Sequence, residues 1–160
     1  MTALRPPGLA LELDRWFAAP IERVFEAFTD PALLQQWWGP NGFVIEELTF
    51  PARVGESYRV ALRAPDGSRY AHVGRFREVS PPTRLSYSWE WVEGPLQRGE
   101  TMVELTFERE GDGTRVVLRH SHFGDSASRD AHRGWPDSFD RLVLWLADRD
   151  PQYPSGQVQH

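Results

Sequence analysis

Leu9, Leu11 and Leu13 alternate with Ala10, Glu12 and Asp14, the two-residue period of a half-buried strand, which predicts a strand running to about Phe17. Arg15 continues the leucine face, so a charge is expected to point inward at that end. Pro20 then suits the first turn of a helix, with Glu22 complementing its amino end and Val24, Phe25 and Phe28 giving it an apolar side. Asp30 before Pro31 repeats the cap-then-proline signal. Leu33, Leu34, Trp37 and Trp38 follow at helical spacing until Gly39-Pro40 ends the run. Two short helices are therefore expected back to back.

From Phe43 to Phe123 the pattern is that of antiparallel strands, with predicted spans 43–50, 56–64, 69–79, 84–92, 100–109 and 114–122. Asp66-Gly67, Pro81-Pro82 and Gly111-Asp112-Gly113 supply turn chemistry between them. Alternation is clearest in Leu85, Tyr87, Trp89, Trp91 and in Val103, Leu105, Phe107. Residues 127–149 return to a helical pattern, with Trp135, Phe139, Leu142 and Leu146 on one side. Pro136 is expected to kink or restart that helix, because it lacks a backbone donor. Its polar side mixes Arg129, Arg133, Arg141 and Arg149 with Asp residues, as in a helix that covers a core and not one that lies on a membrane.

Strand, two short helices, six strands and a long helix make an α+β architecture. Seven strands imply a curved antiparallel sheet, with the C-terminal helix across its concave face. Residues 1–8, with Pro6, Pro7 and Gly8, read as a flexible lead-in, 9–149 as a single domain, and 150–160 as a flexible tail.

Composition narrows the chemistry. There is no Cys, which excludes disulfides, thiolate metal sites and cysteine nucleophiles. All 18 basic residues are Arg, and the absence of Lys excludes a Schiff base and a phosphate loop built on Lys. A formal charge of −5 argues against non-specific contact with nucleic acid or an anionic membrane. No apolar run approaches the roughly 20 residues of a membrane-spanning helix, nor does the start of the chain resemble a secretory signal, so a cytoplasmic location is expected. Seven Trp, nine Phe and four Tyr are enough to furnish either a large aromatic core or an aromatic-walled pocket.

Several stretches resemble one family in order along the chain. They are Asp30-Pro31 followed by Trp37-Trp38-Gly39-Pro40, then Pro81-Pro82 with Arg84-Leu85, and Gly134-Trp135. With their flanks they cover roughly residues 9–149 and resemble the activator of heat-shock-protein ATPase homologue-like family. That family belongs to the START-like, helix-grip superfamily, also abbreviated SRPBCC. One departure is Ala52-Arg53-Val54-Gly55, where relatives tend to carry a double glycine after proline. The resemblance implies the helix-grip fold and a cavity between sheet and long helix, and it implies no particular reaction. The superfamily includes lipid carriers, binders of plant hormones and secondary metabolites, aromatase/cyclases and oxygenase subunits. The family takes its name from chaperone regulators, which makes a chaperone contact a further, lesser expectation.

Binding of a small, largely apolar or aromatic molecule is the leading expectation. Candidate contacts are Trp37, Trp38, Tyr58, Tyr70, His72 and Tyr87, with Trp89, Leu105, His120, Trp135 and Phe139. Aromatic walls with a few polar tips suit a flat ligand, oriented by Tyr, His and Arg15. The same rings also suit a solid core, and the two readings differ on whether the interior is hollow.

A cofactor-free cyclase or lyase-like reaction is the alternative, with His72 or His120 as acid–base, Arg15 near a substrate carbonyl and Tyr58 or Tyr87 as donor. No cofactor is expected. His120 and His122 lie two apart on one strand face, with His72, Glu104 or Asp125 as conceivable further ligands. Nothing fixes a third ligand, however, and no metal is expected. No Gly-x-Ser-x-Gly elbow exists for a serine nucleophile. Glu90, Glu93, Glu100, Glu104, Glu108 and Glu110 cluster along one hairpin, where alternation sends most of them to solvent.

Overall fold

The computed structural model describes residues 9–96, 99–132 and 134–149; the expected lead-in over 1–8 and tail over 150–160 lie outside the described residues. Seven strands form one antiparallel sheet: β1 (Leu11–Phe17), β2 (Val44–Thr49), β3 (Ser57–Arg63), β4 (Arg69–Ser80), β5 (Arg84–Glu93), β6 (Thr101–Glu110) and β7 (Gly113–Ser121). Their order across the sheet is β1-β7-β6-β5-β4-β3-β2. The bounds fall within two residues of those read from alternation. Helices α1 (Ile21–Thr29) and α2 (Pro31–Leu34) carry the chain from β1 at one edge to β2 at the other.

Asp30 caps α2 by accepting the Ala32 N–H at 2.9 Å, and Pro31 occupies the first turn. Trp37 and Trp38 lie just beyond α2. They are held by N–H bonds of 3.2 and 3.1 Å to the Leu34 carbonyl.

The C-terminal region is two helices and not one: α3 (Ser126–Asp130) and α4 (Gly134–Arg149). Asp125 caps α3 through the Ser128 N–H at 2.7 Å. The break comes ahead of Pro136. That residue sits in the first turn of α4, where its missing N–H costs no helical bond, so it restarts the helix without kinking it.

The inward faces of the strands and the apolar side of α4 meet in one aromatic core. At one end Phe28 packs edge-on against Trp37, Phe107 and Phe139, with centroids 4.8, 5.2 and 5.9 Å apart. Phe50, Tyr58, Phe76 and Tyr87 form a second cluster of the same kind. Edge-to-face contacts of this sort add stability beyond area burial.

The outward faces carry charge. Glu46 pairs with Arg63 and Arg69, Glu93 with Arg69, and Glu100 with Arg77. Glu110 pairs with Arg115, and Glu12 with Arg119. Three of the clustered carboxylates are thus partners of surface arginines, contacts that contribute little each. Among the described residues no helix is long and apolar enough to cross a membrane.

Candidate functional site

A cavity of about 160 Å³ opens between the sheet and the amino end of α4. The sheet contributes Val60 and Leu62 from β3, Tyr70 and His72 from β4, and Trp89 and Trp91 from β5. Trp38, Gly39, Pro40 and Phe43 close one side, and Leu96 joins from the loop after β5. Ala131, His132, Gly134, Trp135 and Ser138 form the roof. None of these described lining residues carries a formal charge.

The roof is fastened to the wall by hydrogen bonds. The Ser138 hydroxyl accepts the Gly39 N–H at 2.9 Å and donates to the Gly39 carbonyl at 3.0 Å. Arg141 Nε donates to the Trp37 carbonyl at 3.0 Å. Gly39 has φ +112°, a conformation that glycine adopts without steric cost.

A bulge between β4 and β5 sets His72 opposite Trp91, leaving Val92 as the extra residue. His72 stacks on Trp89 with centroids 3.6 Å apart and planes 9° apart, and meets Trp91 edge-on at 5.0 Å. Its Nδ1 lies 3.3 Å from Tyr58 Oη, which donates to the Ser88 carbonyl at 2.8 Å. Gly74 makes room for this arrangement. An added Cβ there would stand 1.9 Å from the Ser88 oxygen and 2.5 Å from the Tyr58 ring.

Two more histidines are buried nearby. Thr101 Oγ1 spends its proton on the Trp89 carbonyl at 2.9 Å, so at 2.8 Å it accepts from His120 Nε2–H. His120 Nδ1 in turn accepts from Trp135 Nε1 at 3.2 Å. His132 Nδ1 donates to the Ser128 carbonyl at 2.8 Å, and its Nε2 accepts from Trp91 Nε1 at 2.7 Å. Burial pushes the pKa of all three imidazoles below the ordinary value. For His72 and His120, a neighbouring histidine adds to the effect. Burial likewise raises the Tyr58 and Tyr87 phenols.

Of the candidate contact residues, Trp38, Tyr70, His72, Trp89 and Trp135 line the cavity. The others are packed away from it. Trp37 is buried against Phe28 with its Nε1 on the Ala27 carbonyl, while Tyr58 and Tyr87 lie under Phe50. Leu105 and Phe139 are fully buried, and His120 has both ring nitrogens engaged by neighbours.

Arg15 points toward α4 as its alternation suggested, but it pairs with Asp140 at 2.8 Å and does not reach the cavity. Among the described residues no group of three His, Asp or Glu stands close enough to hold a metal ion.

Trp91 and His132 line the cavity in addition to the candidate contacts. Trp91 shares the period of Tyr87 and Trp89 and was open to the same reasoning. His132 sits in the break between α3 and α4, which looked continuous in the sequence.

Solved structures similar to this fold include three bacterial proteins. The AHSA1 protein from Silicibacter pomeroyi is 31% identical, with 88% of this chain and 99% of that chain aligned at a TM-score of 0.78. A Chromobacterium violaceum protein is 29% identical over 86% of this chain and 96% of its own, also at 0.78. A Rhodobacter sphaeroides protein is 27% identical over 92% and 99%, at 0.77. No functionally curated protein matches the chain. The model of the family described as activator of Hsp90 ATPase homolog 1-like protein matches residues 18–147. The curved sheet gripping α4, with the cavity beneath it, is therefore the helix-grip architecture, and the chain belongs to the activator of Hsp90 ATPase homolog 1-like family.

Proposed function

We propose that the protein binds one small, largely apolar molecule, about the size of a single aromatic ring, between the sheet and α4. The supporting observation is the cavity of about 160 Å³ walled by Trp38, Trp89, Trp91 and Trp135. An engineered apolar cavity of about 150 Å³ takes up benzene, which sets the scale of the guest. Affinity comes from burying the guest's apolar surface, and orientation from the few polar tips in the wall.

Acid–base catalysis by His72 or His120 is the weaker reading. His120 has no ring nitrogen to offer, and burial disfavours the charged form that His72 needs to pass a proton on.

Native mass spectrometry of the purified protein, followed by thermal shift with benzene, toluene, phenol and indole, tests the proposal. A co-purified small aromatic, or a rise in Tm with these probes, supports it. No response to any of them defeats it. A protein whose role is a chaperone contact, as the family description suggests, would ignore these compounds and bind its partner unchanged when cavity residues are altered.

A further inference from the structure

The three buried imidazoles differ in what they have left to offer. His120 and His132 each use both ring nitrogens on protein groups. His72, which lines the cavity, uses only Nδ1.

The direction of that bond follows from its far end. The Ser88 carbonyl can only accept, so the Tyr58 hydroxyl proton points at it. The Tyr58 oxygen must then accept from His72, which places the imidazole proton on Nδ1. His72 Nε2 is left as a bare lone pair, with no hydrogen-bond partner among the described residues.

The ring stacked on His72 at 3.6 Å belongs to Trp89, whose Nε1–H is buried and also lacks a partner among the described residues. The Trp89 nitrogen is fully enclosed, whereas His72 lines the cavity, where a bare acceptor calls for a guest that donates a hydrogen bond.

We infer that the guest is a single-ring compound carrying a hydroxyl group, whose proton is donated to His72 Nε2. A hydroxyl is the smallest uncharged ring substituent that donates a hydrogen bond. Hydroxyl, His72, Tyr58 and the Ser88 carbonyl then form one chain of hydrogen bonds running in a single direction, an arrangement in which each bond strengthens the next. The inference rests on the cavity-binding reading and goes beyond it by naming the polar group.

Calorimetric titration of the wild-type protein and His72→Phe with phenol and toluene tests it. Toluene has the same ring and shape without the donor. The phenol-to-toluene affinity ratio is expected to fall about tenfold in His72→Phe, the effect of one buried hydrogen bond, with toluene affinity retained. An unchanged ratio overturns the inference and leaves the cavity reading standing. Failure of both compounds to bind the wild-type protein defeats the cavity reading itself.

Should His72→Phe not fold, the nitrogen-15 spectrum of the wild-type histidine rings decides. An unprotonated His72 Nε2 that shifts with phenol and not with toluene supports the inference. A protonated Nε2 in the free protein overturns it.

Discussion

Trp135 Nε1 donates a hydrogen bond of 3.2 Å to His120 Nδ1, tying the first turn of α4 to the end of β7. The same indole lines the cavity, so one side chain both roofs the hollow and fastens the roof to the sheet. Trp135→Phe keeps an aromatic ring but leaves the His120 nitrogen unpaired and is expected to cost about 1–3 kcal/mol. Trp135→Ala removes the ring as well and is expected to cost roughly 3–5 kcal/mol. Urea denaturation measures both. A loss below about 1 kcal/mol for the alanine variant would show that the indole does not hold the helix down.

Stability should depend on pH through the buried histidines. In the folded protein His72, His120 and His132 have pKa values below the ordinary imidazole value of about 6.5, chiefly because burial disfavours their charged forms. The unfolded chain binds these protons at ordinary affinity. Between the folded and unfolded pKa values the unfolded state therefore carries more protons, and stability rises with pH. The contribution is complete above about pH 6.5 and is lost as pH falls below it, by at most about 1.4 kcal/mol per pH unit for each group. The arginine-paired carboxylates Glu47, Glu78 and Glu110 titrate below their ordinary value and stay out of this window. Urea midpoints at pH 7.5, 6.5 and 5.5 check this, and equal stability at all three would contradict it.

Gly74 is a steric requirement of the Tyr58 to Ser88 hydrogen bond. A methyl group there collides with backbone, which cannot swing aside as a side-chain end can. Gly74→Ala is expected to lose about 3 kcal/mol, at the upper end for overpacking, and to disturb the β4–β5 register. Gly67→Ala is the contrast, because nothing lies within 4 Å of its added Cβ. Its cost is limited to the strain of φ +91°, of order 1 kcal/mol. Equal losses in thermal unfolding would mean that the contact at Gly74 relaxes freely.

Filling the hollow separates binding from folding. Leu62 is buried on β3 and lines the cavity. Leu62→Phe projects added volume into empty space, so its overpacking cost is expected to stay within about 1 kcal/mol. Toluene affinity is expected to drop at least tenfold, read by calorimetry. Full retention of binding would place the guest elsewhere.

Ser138 tests how the roof is anchored. Its hydroxyl serves both the N–H and the carbonyl of Gly39, in a buried position. Ser138→Ala strands both backbone groups and is expected to cost about 2 kcal/mol, with faster amide exchange at Gly39 as its local sign.

Much of the fold could be read from the chain. Alternation in Tyr87, Trp89 and Trp91 and in Val103, Leu105 and Phe107 marked strands and their inward faces, because a strand's period depends only on neighbouring residues. The break between α3 and α4 was less legible. Pro136 announced a restart, but residues 131–133 keep enough helical character in sequence to hide where the break falls. The site was legible in part. Tyr87, Leu105 and His120 are buried within the core, a depth that alternation does not measure.

By itself the sequence determined the order of the elements, the faces that turn inward and the family to which the chain belongs. Only the tertiary structure decided which stretch of the concave face stays hollow. Phe28, Trp37 and Phe139 fill one end of it, while the break before α4 sets His132 and Trp135 over the other. It also decided the proton on each buried imidazole. The partners lie 14 residues away for His72, and 15 and 19 for His120; for His132 one is local, Ser128 four residues back, and the other, Trp91, is 41 away. Local periodicity fixes direction over a few residues, whereas a hydrogen-bond partner is chosen by chain segments that meet only in the folded protein.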